Sequence, residues 1–306
     1  MLNSKNFRSL TVYGSRAIYS LSLPPQRGIF NTTNFILLSP GDFRAPQPQG
    51  GREDSQLSVL MDPELYSPHQ IAQLPRPLWL WSAEPLMFDA APTVYGTPQL
   101  GAKAESIRNA AMGALEAIPE DSYDALVVSH VESQSYLESI GRPALISPPP
   151  VSEAVFQQAS MLRESSTFGT LNPVSEYSEL YFSSLEVQVE ALERGDSSIR
   201  ETNKFLDETT FGINIPSSVT RRFTFEAALH LASGHTLISE PLMPLHGLEA
   251  GLDYFEVTSP SELLHVTNYL ARNPKITKLM AFRGRQKAFY FSAERVYRNV
   301  LRSLDR

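Results

Sequence analysis

The segment Phe211–Pro241 constrains the fold of this chain more than any other. An apolar run over 212–215 ends in a Pro-Ser-Ser turn, and an amphipathic helical pattern follows and stops at Gly234. A second apolar run covers 236–238. Strand, loop, helix, glycine stop and strand in this order predict a βαβ unit. Two arginines and a glutamate stand near the start of its helix, so we expect the main binding site there.

The composition sets the size and the class of the protein. The chain has 306 residues, of which 42% are hydrophobic and 19% are charged, so it can bury a sizeable core and is long enough for about two domains. Its formal charge of −7 argues against broad electrostatic capture of nucleic acid or anionic lipid. A local basic patch remains compatible with that charge.

The absence of cysteine and of long apolar segments excludes further kinds of site and of protein. The chain has no cysteine, which excludes disulfides, thiolate metal sites and cysteine nucleophiles. The first residues lack the apolar core of a secretion signal, and no apolar run approaches the ~20 residues that a bilayer span needs. The sequence therefore predicts a soluble, cytoplasmic protein without a membrane span.

Strand and helix patterns alternate through both halves of the chain. Strands are predicted over 9–14, 17–23, 34–39, 56–61, 78–83, 123–130, 144–147, 167–171, 186–190, 212–215, 236–238 and 254–258. Helices are predicted over 105–118, 132–140, 152–163, 175–183, 198–206, 260–272, 274–289 and 292–304. The helix of the βαβ unit, which stops at Gly234, is a further one. This alternation predicts an α/β fold with two Rossmann-like, doubly wound domains facing a cleft.

Three consecutive prolines, Pro148-Pro149-Pro150, cannot enter the centre of a sheet and mark the best domain boundary. We predict an N-terminal domain over 1–148, a C-terminal domain over 149–290 and a closing helix over 291–306.

Four candidate residues lie at the carboxyl ends of predicted strands of the first domain or directly after them. Gly14 and Ser15 form a turn that can present backbone N–H groups to an anion, or serve as a simple turn. Glu84 ends an apolar strand before a proline, where ligands gather in α/β sheets, although an exposed loop glutamate fits as well. His130 lies between a strand end and a helix start, where a neutral imidazole can exchange a proton or be structural.

The C-terminal half resembles the carboxy-terminal domain of GT-B glycosyltransferases, and most closely the CgeB-like spore-maturation group. The residues that carry this resemblance are Ile213-Asn214-Ile215, Arg221 and Arg222, Phe225-Glu226-Ala227-Ala228, Gly234, Gly251-Leu252-Asp253-Tyr254, Pro260-Ser261-Glu262-Leu263 and Gly284-Arg285, with Gly169 fitting the glycine that ends the domain's first strand. The resemblance covers about 165–305, and over the first 150 residues it rests on element order.

The resemblance implies transfer of a sugar from a nucleotide-diphosphate sugar, held by the second domain, to an acceptor held by the first. Glu226 would accept hydrogen bonds from ribose hydroxyls at the start of its helix, whose N–H groups favour a diphosphate. Arg221 or Arg222 would neutralise the leaving diphosphate, because arginine is always charged and binds phosphate oxygens in a fork. The assigned catalytic residues are His130, Glu84 and Arg222.

The predicted donor site adds Gly169 and Thr170 to Glu226 and the two arginines, with Gly14 and Ser15 from the first domain. No metal ligands are assigned and no cofactor is expected. Each residue also has a structural alternative, since Glu226 can serve only to complement the helix dipole and the arginines can be solvated.

Two departures from the family pattern keep a second hypothesis open. Ser218 stands where many retaining members carry a glutamate, and Phe223 stands where an arginine is usual. The alternative is a catalytically degenerate GT-B protein that binds sugars or nucleotides or serves as a scaffold subunit, and a nucleotide-sugar epimerase is a third reading. The acceptor can be a glycan, a protein or a small molecule. DNA stays an alternative that the net charge does not support, because some transferases of the resembled fold glycosylate DNA bases. The sequence does not determine the oligomeric state.

Overall fold

The computed structural model describes residues 7–44, 56–82, 98–158, 167–172, 174–192, 199–215, 223–243 and 245–304, and for 98–104, 107–108, 158 and 199 it describes the backbone alone. The contacts within the chain divide it into two units. The first comprises the described residues of Met1–Met87, Ile107–Glu153 and Ser292–Arg306, and the second those of Phe88–Ser106 and Ala154–Phe291.

The first unit is built on a six-stranded parallel sheet with the order β2-β1-β3-β4-β5-β6. Its strands are β1 (Ser9–Gly14), β2 (Thr32–Leu37), β3 (Gln56–Met61), β4 (Leu78–Ser82), β5 (Ala125–Val128) and β6 (Leu145–Ile146). All residues of the three strands β1, β4 and β5 are buried, as the continuous apolar runs of a sheet covered on both faces predict.

The second unit contains a five-stranded parallel sheet with the order β11-β10-β9-β7-β8. Its strands are β7 (Phe168–Thr170), β8 (Val189–Ala191), β9 (Phe211–Asn214), β10 (Thr236–Ser239) and β11 (Phe255–Glu256). Two parallel sheets with helical connections confirm the predicted α/β, doubly wound architecture.

Helices connect the strands in both units. In the described part of the chain they are α1 (Pro68–Ile71), α2 (Pro98–Ala117), α3 (Val131–Ser139), α4 (Glu153–Gln158), α5 (Glu176–Phe182), α6 (Ile199–Glu208), α7 (Phe225–Ala232), α8 (Pro260–Arg272), α9 (Pro274–Ala288) and α10 (Ala293–Leu304). Gly234 follows α7 with a left-handed φ of 77°, which is the stop that the sequence predicts.

One predicted strand, over 17–23, is wrong. Ala17–Ser22 forms a 3₁₀ helix instead. The hydroxyl of Ser20 donates to the carbonyl of Ala17 (2.6 Å) and that of Ser22 donates to Tyr19 (2.6 Å). These local hydrogen bonds satisfy carbonyls that a strand would offer to a neighbouring strand. They therefore favour the 3₁₀ helix over the strand that the alternation of apolar and polar residues predicts.

Two buried histidines lie beneath the second sheet, against Gly212. Nδ1 of His230 and Nδ1 of His235 are 2.7 Å apart, and Nε2 of His235 is 2.9 Å from the carbonyl of Leu206. Since that carbonyl can only accept, a neutral His235 donates from Nε2, and its Nδ1 then accepts from the Nδ1–H of His230. A Cβ on Gly212 would lie 2.4 Å from Cγ of His230, so only glycine fits under the ring.

Gly212→Ala is expected to destabilise the protein by about 2 kcal/mol, because the methyl group forces the His230 ring away and overpacks the core. Urea unfolding followed by circular dichroism measures the loss. The matched control is Gly113→Ala on α2, where a Cβ meets nothing within 4 Å. That change should stabilise the helix by about 0.5 to 1 kcal/mol. Equal effects of the two changes would contradict the packing argument.

Candidate functional site

A group of buried polar residues in the second unit lies at the point where the strand order of its sheet reverses. From β7 the chain passes to β8 on one side and then to β9 on the other, so the switch point lies between β7 and β9. In doubly wound sheets ligands bind beyond the carboxyl ends of the strands at such a point. Thr170 ends β7 and Asn214 ends β9.

The side chain of Asn214 joins four elements at this edge. Its Oδ1 accepts from Nδ2 of Asn172 (2.9 Å), which follows β7, and from Oγ1 of Thr224 (2.8 Å), which precedes α7. Its Nδ2 donates to Oγ of Ser239 (2.8 Å), the last residue of β10. All four side chains are at least 96% buried. A single amide therefore holds together the ends of three strands and the start of α7.

The partners also fix the orientation of the Asn214 amide. The hydroxyl oxygen of Thr224 accepts from the backbone N–H of Ala227 (3.1 Å), which leaves its hydrogen for Oδ1 of Asn214. The hydroxyl of Ser239 donates to the carbonyl of Glu240 (2.7 Å) and so accepts from Nδ2. Each of these hydrogen bonds pairs one donor with one acceptor, so the bonds are mutually consistent and make the network rigid.

Glu226 lies in the first turn of α7, two residues after Thr224 of this network. Thr224 caps the helix through the N–H of Ala227, and the side chain of Glu226 is buried, with 4% of its surface exposed. The positive end of the helix dipole favours a carboxylate or a bound anion here. The placement matches the sequence expectation, and the role of Glu226 in binding stays a prediction.

A second buried carboxylate, Glu240, follows β10 at the same edge. Its Oε1 accepts from the hydroxyl of Tyr181 (2.7 Å) and from the hydroxyl of Tyr177, both on α5. The pKa of each tyrosine is raised, first by burial and then by the negative charge of Glu240. Both phenols therefore stay protonated and keep donating to the carboxylate.

Sequence reasoning missed this arrangement. The apolar run over 236–238 predicts the strand but does not single out Glu240, which follows it. The available signal was the spacing of Tyr177 and Tyr181, which four residues apart share one face of a helix.

Gly169 and Thr170 lie on β7, at the predicted position. A Cβ on Gly169 would lie 2.6 Å from Cγ2 of Thr209 and 2.7 Å from Cζ of Phe205. Close packing with the end of α6 thus accounts for the glycine without a ligand. Oγ1 of Thr170 accepts from the backbone N–H of Asn172 (3.2 Å) and is buried. The assignment of both residues to a donor site stays a prediction.

In the first unit, Gly14 ends β1 at the corresponding switch point between β1 and β3, and Ser15 follows it. The side chain of Ser15 hydrogen bonds with Tyr66, whose pKa is raised by burial first and then by the charge of Asp62. His130 stands before α3 with 1% of its surface exposed, and its side chain does not cap that helix. Its catalytic role stays a prediction.

Two carboxyl groups that the sequence did not single out lie beyond β3. Asp62 directly follows that strand and accepts from the hydroxyl of Tyr19. Glu64 has a pKa raised to about 8, first because of burial and then because of the charge of Asp62, while a hydrogen bond with Ser82 opposes the rise. Oε2 of Glu64 is buried and has no hydrogen-bond partner in the described part of the chain. The first unit thus contains a carboxyl group that keeps its proton near neutral pH.

Three predicted site residues, Glu84, Arg221 and Arg222, lie outside the described residues. Within the described ranges no three His, Asp or Glu side chains converge as a metal site would require. No helix in those ranges combines the length and the apolar character that crossing a bilayer demands.

A scan against known protein families finds no match, and no curated protein matches by sequence. Solved structures do match over both units. Anabaena Alr3699/HepE in complex with UDP has a TM-score of 0.53 at 10% identity, covering 98% of this chain and 100% of its own. An alpha-glucosyltransferase in complex with UDP-glucose and DNA containing an abasic site has a TM-score of 0.54 at 7% identity, covering 97% and 99%.

A third structure, a glycosyltransferase from Rickettsia africae ESF-5, has a TM-score of 0.51 at 11% identity and covers 97% of this chain and 98% of its own. At such identities the likeness concerns the fold and not the chemistry. The chain therefore has the two-domain α/β fold of the GT-B glycosyltransferases.

Proposed function

We propose that the protein is a glycosyltransferase, whose second unit binds a nucleotide-diphosphate sugar at the edge where β7, β9 and β10 end. The observation that carries the proposal is the buried Glu226 in the first turn of α7, a helix whose N-terminus is tied to the strand ends through Thr224 and Asn214. HepE was determined with UDP and with UDP-glucose, and the alpha-glucosyltransferase with UDP-glucose, which supports a nucleotide sugar as the donor.

In this proposal the residues of the site contact different parts of the donor. Glu226 accepts hydrogen bonds from the ribose hydroxyls, and the first N–H groups of α7 favour the diphosphate. Glu240, held by two tyrosines, offers a second oriented carboxylate for hydroxyl groups. The bond between the anomeric carbon and the diphosphate oxygen breaks, and the acceptor oxygen bonds to that carbon instead. The nucleoside diphosphate leaves and takes up the proton that the acceptor hydroxyl releases.

The proposal retains four expectations from the sequence: kinship with the CgeB-like group, chemistry that needs no metal ion, a cytoplasmic setting, and neutralisation of the diphosphate by Arg221 or Arg222.

Nucleotide sugars are expected to raise the melting temperature, and Glu226→Gln is expected to remove this rise. A ligand present at a hundred times its Kd stabilises the folded state by about 2.7 kcal/mol. For a chain of this size that corresponds to a shift of roughly 5 °C. Thermal shift with UDP-, GDP- and dTDP-sugars measures it, and mass spectrometry of the mixture then identifies the product.

The matched control is Glu262→Gln, since Glu262 also lies in the first turn of a capped helix of the second unit but is exposed. This variant should keep the shift of the natural protein. The proposal fails if no nucleotide sugar at millimolar concentration moves the melting curve, or if both variants respond alike.

A catalytically degenerate binding protein is the second candidate, and Phe223 is the observation that favours it. Phe223 is fully buried, and its ring lies 5.0 Å from those of His246 and Phe291. The position where the resembled family carries an arginine is thus a core position here. This candidate predicts thermal stabilisation by a nucleotide sugar without hydrolysis or transfer.

A further inference from the structure

We propose that the outward face of α9 is a docking surface for an anionic phospholipid membrane. This surface, the α9 face, consists of five exposed residues of α9 and of the exposed last residue of α8; they are Lys275, Ile276, Lys278, Leu279 and Phe282, with Arg272 from α8. The inference concerns where the protein acts and does not depend on the proposed activity.

The inner side of α9 is fixed to the core, so its outer side cannot turn inward. Thr277, Met280 and Ala288 are buried on the inner side. The hydroxyl of Thr236 on β10 donates to the carbonyl of Thr277 (2.8 Å). The helix is therefore a rigid rod of about 22 Å that presents one constant face.

The apolar side chains of this face are contiguous and not isolated surface residues. Leu279 is 61% exposed, Phe282 is 49% exposed and Ile276 is 37% exposed. Residues three apart on a helix are neighbours, so these side chains form one stripe along the rod. Single exposed apolar residues are ordinary, whereas a contiguous stripe indicates an interaction surface.

The charge around the stripe is positive. Between 263 and 293 the sequence has six of the chain's 26 Lys and Arg residues and none of its 33 Asp and Glu residues. Two of the six, Arg283 and Lys287, pair with Asp253. The three basic residues of the α9 face take part in none of the ion pairs formed among the described residues.

An anionic membrane complements both properties at once. Interfacial helices insert Phe and Leu between the headgroups, while neighbouring lysines extend their amines to the phosphates. A nucleic acid offers nothing to Leu279 and Ile276. A second copy of the chain, docked through the same face about a two-fold axis, would set lysines against lysines. Charge complementarity thus favours the lipid surface.

Flotation of the full-length protein with vesicles tests the proposal. We expect binding to phosphatidylcholine vesicles that contain about one third phosphatidylglycerol, weaker binding to pure phosphatidylcholine, and loss of binding at high salt. Lys275→Gln with Lys278→Gln should weaken binding about 25-fold, since each basic residue near such a surface contributes about fivefold. Leu279→Ser with Phe282→Ser removes the apolar stripe and should abolish vesicle binding.

Two control variants are matched in residue type. Lys204→Gln removes an exposed lysine from α6, and Leu180→Ser removes an exposed leucine from α5. Both should bind vesicles like the natural protein, and circular dichroism melting confirms that every variant is folded.

Three outcomes overturn the proposal. The first is absence of anionic vesicle binding by the natural protein. The second is binding that the α9 variants leave unchanged. The third is the case in which these variants abolish self-association or DNA binding while vesicle binding persists.

Discussion

Asn214→Ala is expected to lower the free energy of unfolding by about 4 kcal/mol. The change removes the acceptor of Asn172 and Thr224 and the donor to Ser239, all of them buried. Each buried polar group left without its partner costs about 1 to 3 kcal/mol. Because the same amide fixes the start of α7, the variant should also lose stabilisation by nucleotide sugars.

The two tryptophans make it possible to measure unfolding of the first unit separately. Trp79 and Trp81 both lie on β4, so tryptophan fluorescence reports unfolding of the first unit, whereas circular dichroism reports both. Asn214 belongs to the second unit, so the loss should appear in the circular dichroism curve. Asn299→Ala, an exposed control on α10, should stay within about 0.5 kcal/mol. A similarly small effect at Asn214 would show that the network is not stabilising.

Glu64→Gln is expected to become more stable relative to the natural protein as the pH rises from about 5 to 8. In the unfolded chain this carboxyl group loses its proton near pH 4.5, whereas in the folded protein its pKa is about 8. Between these values the folded state binds more protons, so rising pH favours unfolding. Stability from this group is complete below the unfolded pKa and is lost as the pH rises through the folded one.

Glutamine carries no titrating proton and removes this dependence. The slope reaches at most about 1.4 kcal/mol per pH unit, so the difference between the two proteins should grow by about 3 kcal/mol across the window. Urea unfolding followed by tryptophan fluorescence at four pH values measures it within the first unit. Glu132→Gln, an exposed change on α3, should follow the natural protein. Parallel curves for Glu64→Gln and the natural protein would refute a buried, protonated Glu64.

Most of the architecture was predictable because it depends on local patterns. Apolar runs such as 78–82 and 125–128 are long enough to be buried strands, and prolines and glycines mark their ends. The stretch 17–23 shows the limit, since its alternation fits a strand and its serines fit a 3₁₀ helix equally well. There the contact of Tyr19 with Asp62 accompanies the 3₁₀ conformation.

The candidate site was only partly predictable. Glu226 could be located because a helix start can be read from Thr224 and the turn before it. Asn214, although quoted as part of a motif, could not be recognised as the centre of a network, because its partners come from 10 to 42 residues away. The same holds for Glu64, whose raised pKa depends on burial beside Asp62.

The sequence by itself determined the alternation of strands and helices, the parallel sheets and the position of Glu226 at the start of α7, because these follow from periodicity and from signals a few residues apart. Only the tertiary structure decided which strand ends meet, that Glu240 is held by Tyr177 and Tyr181, and that α9 leaves an apolar and basic face exposed. The physical reason is that hydrogen-bond partners, burial and local charge depend on the packing of residues that are distant in the chain.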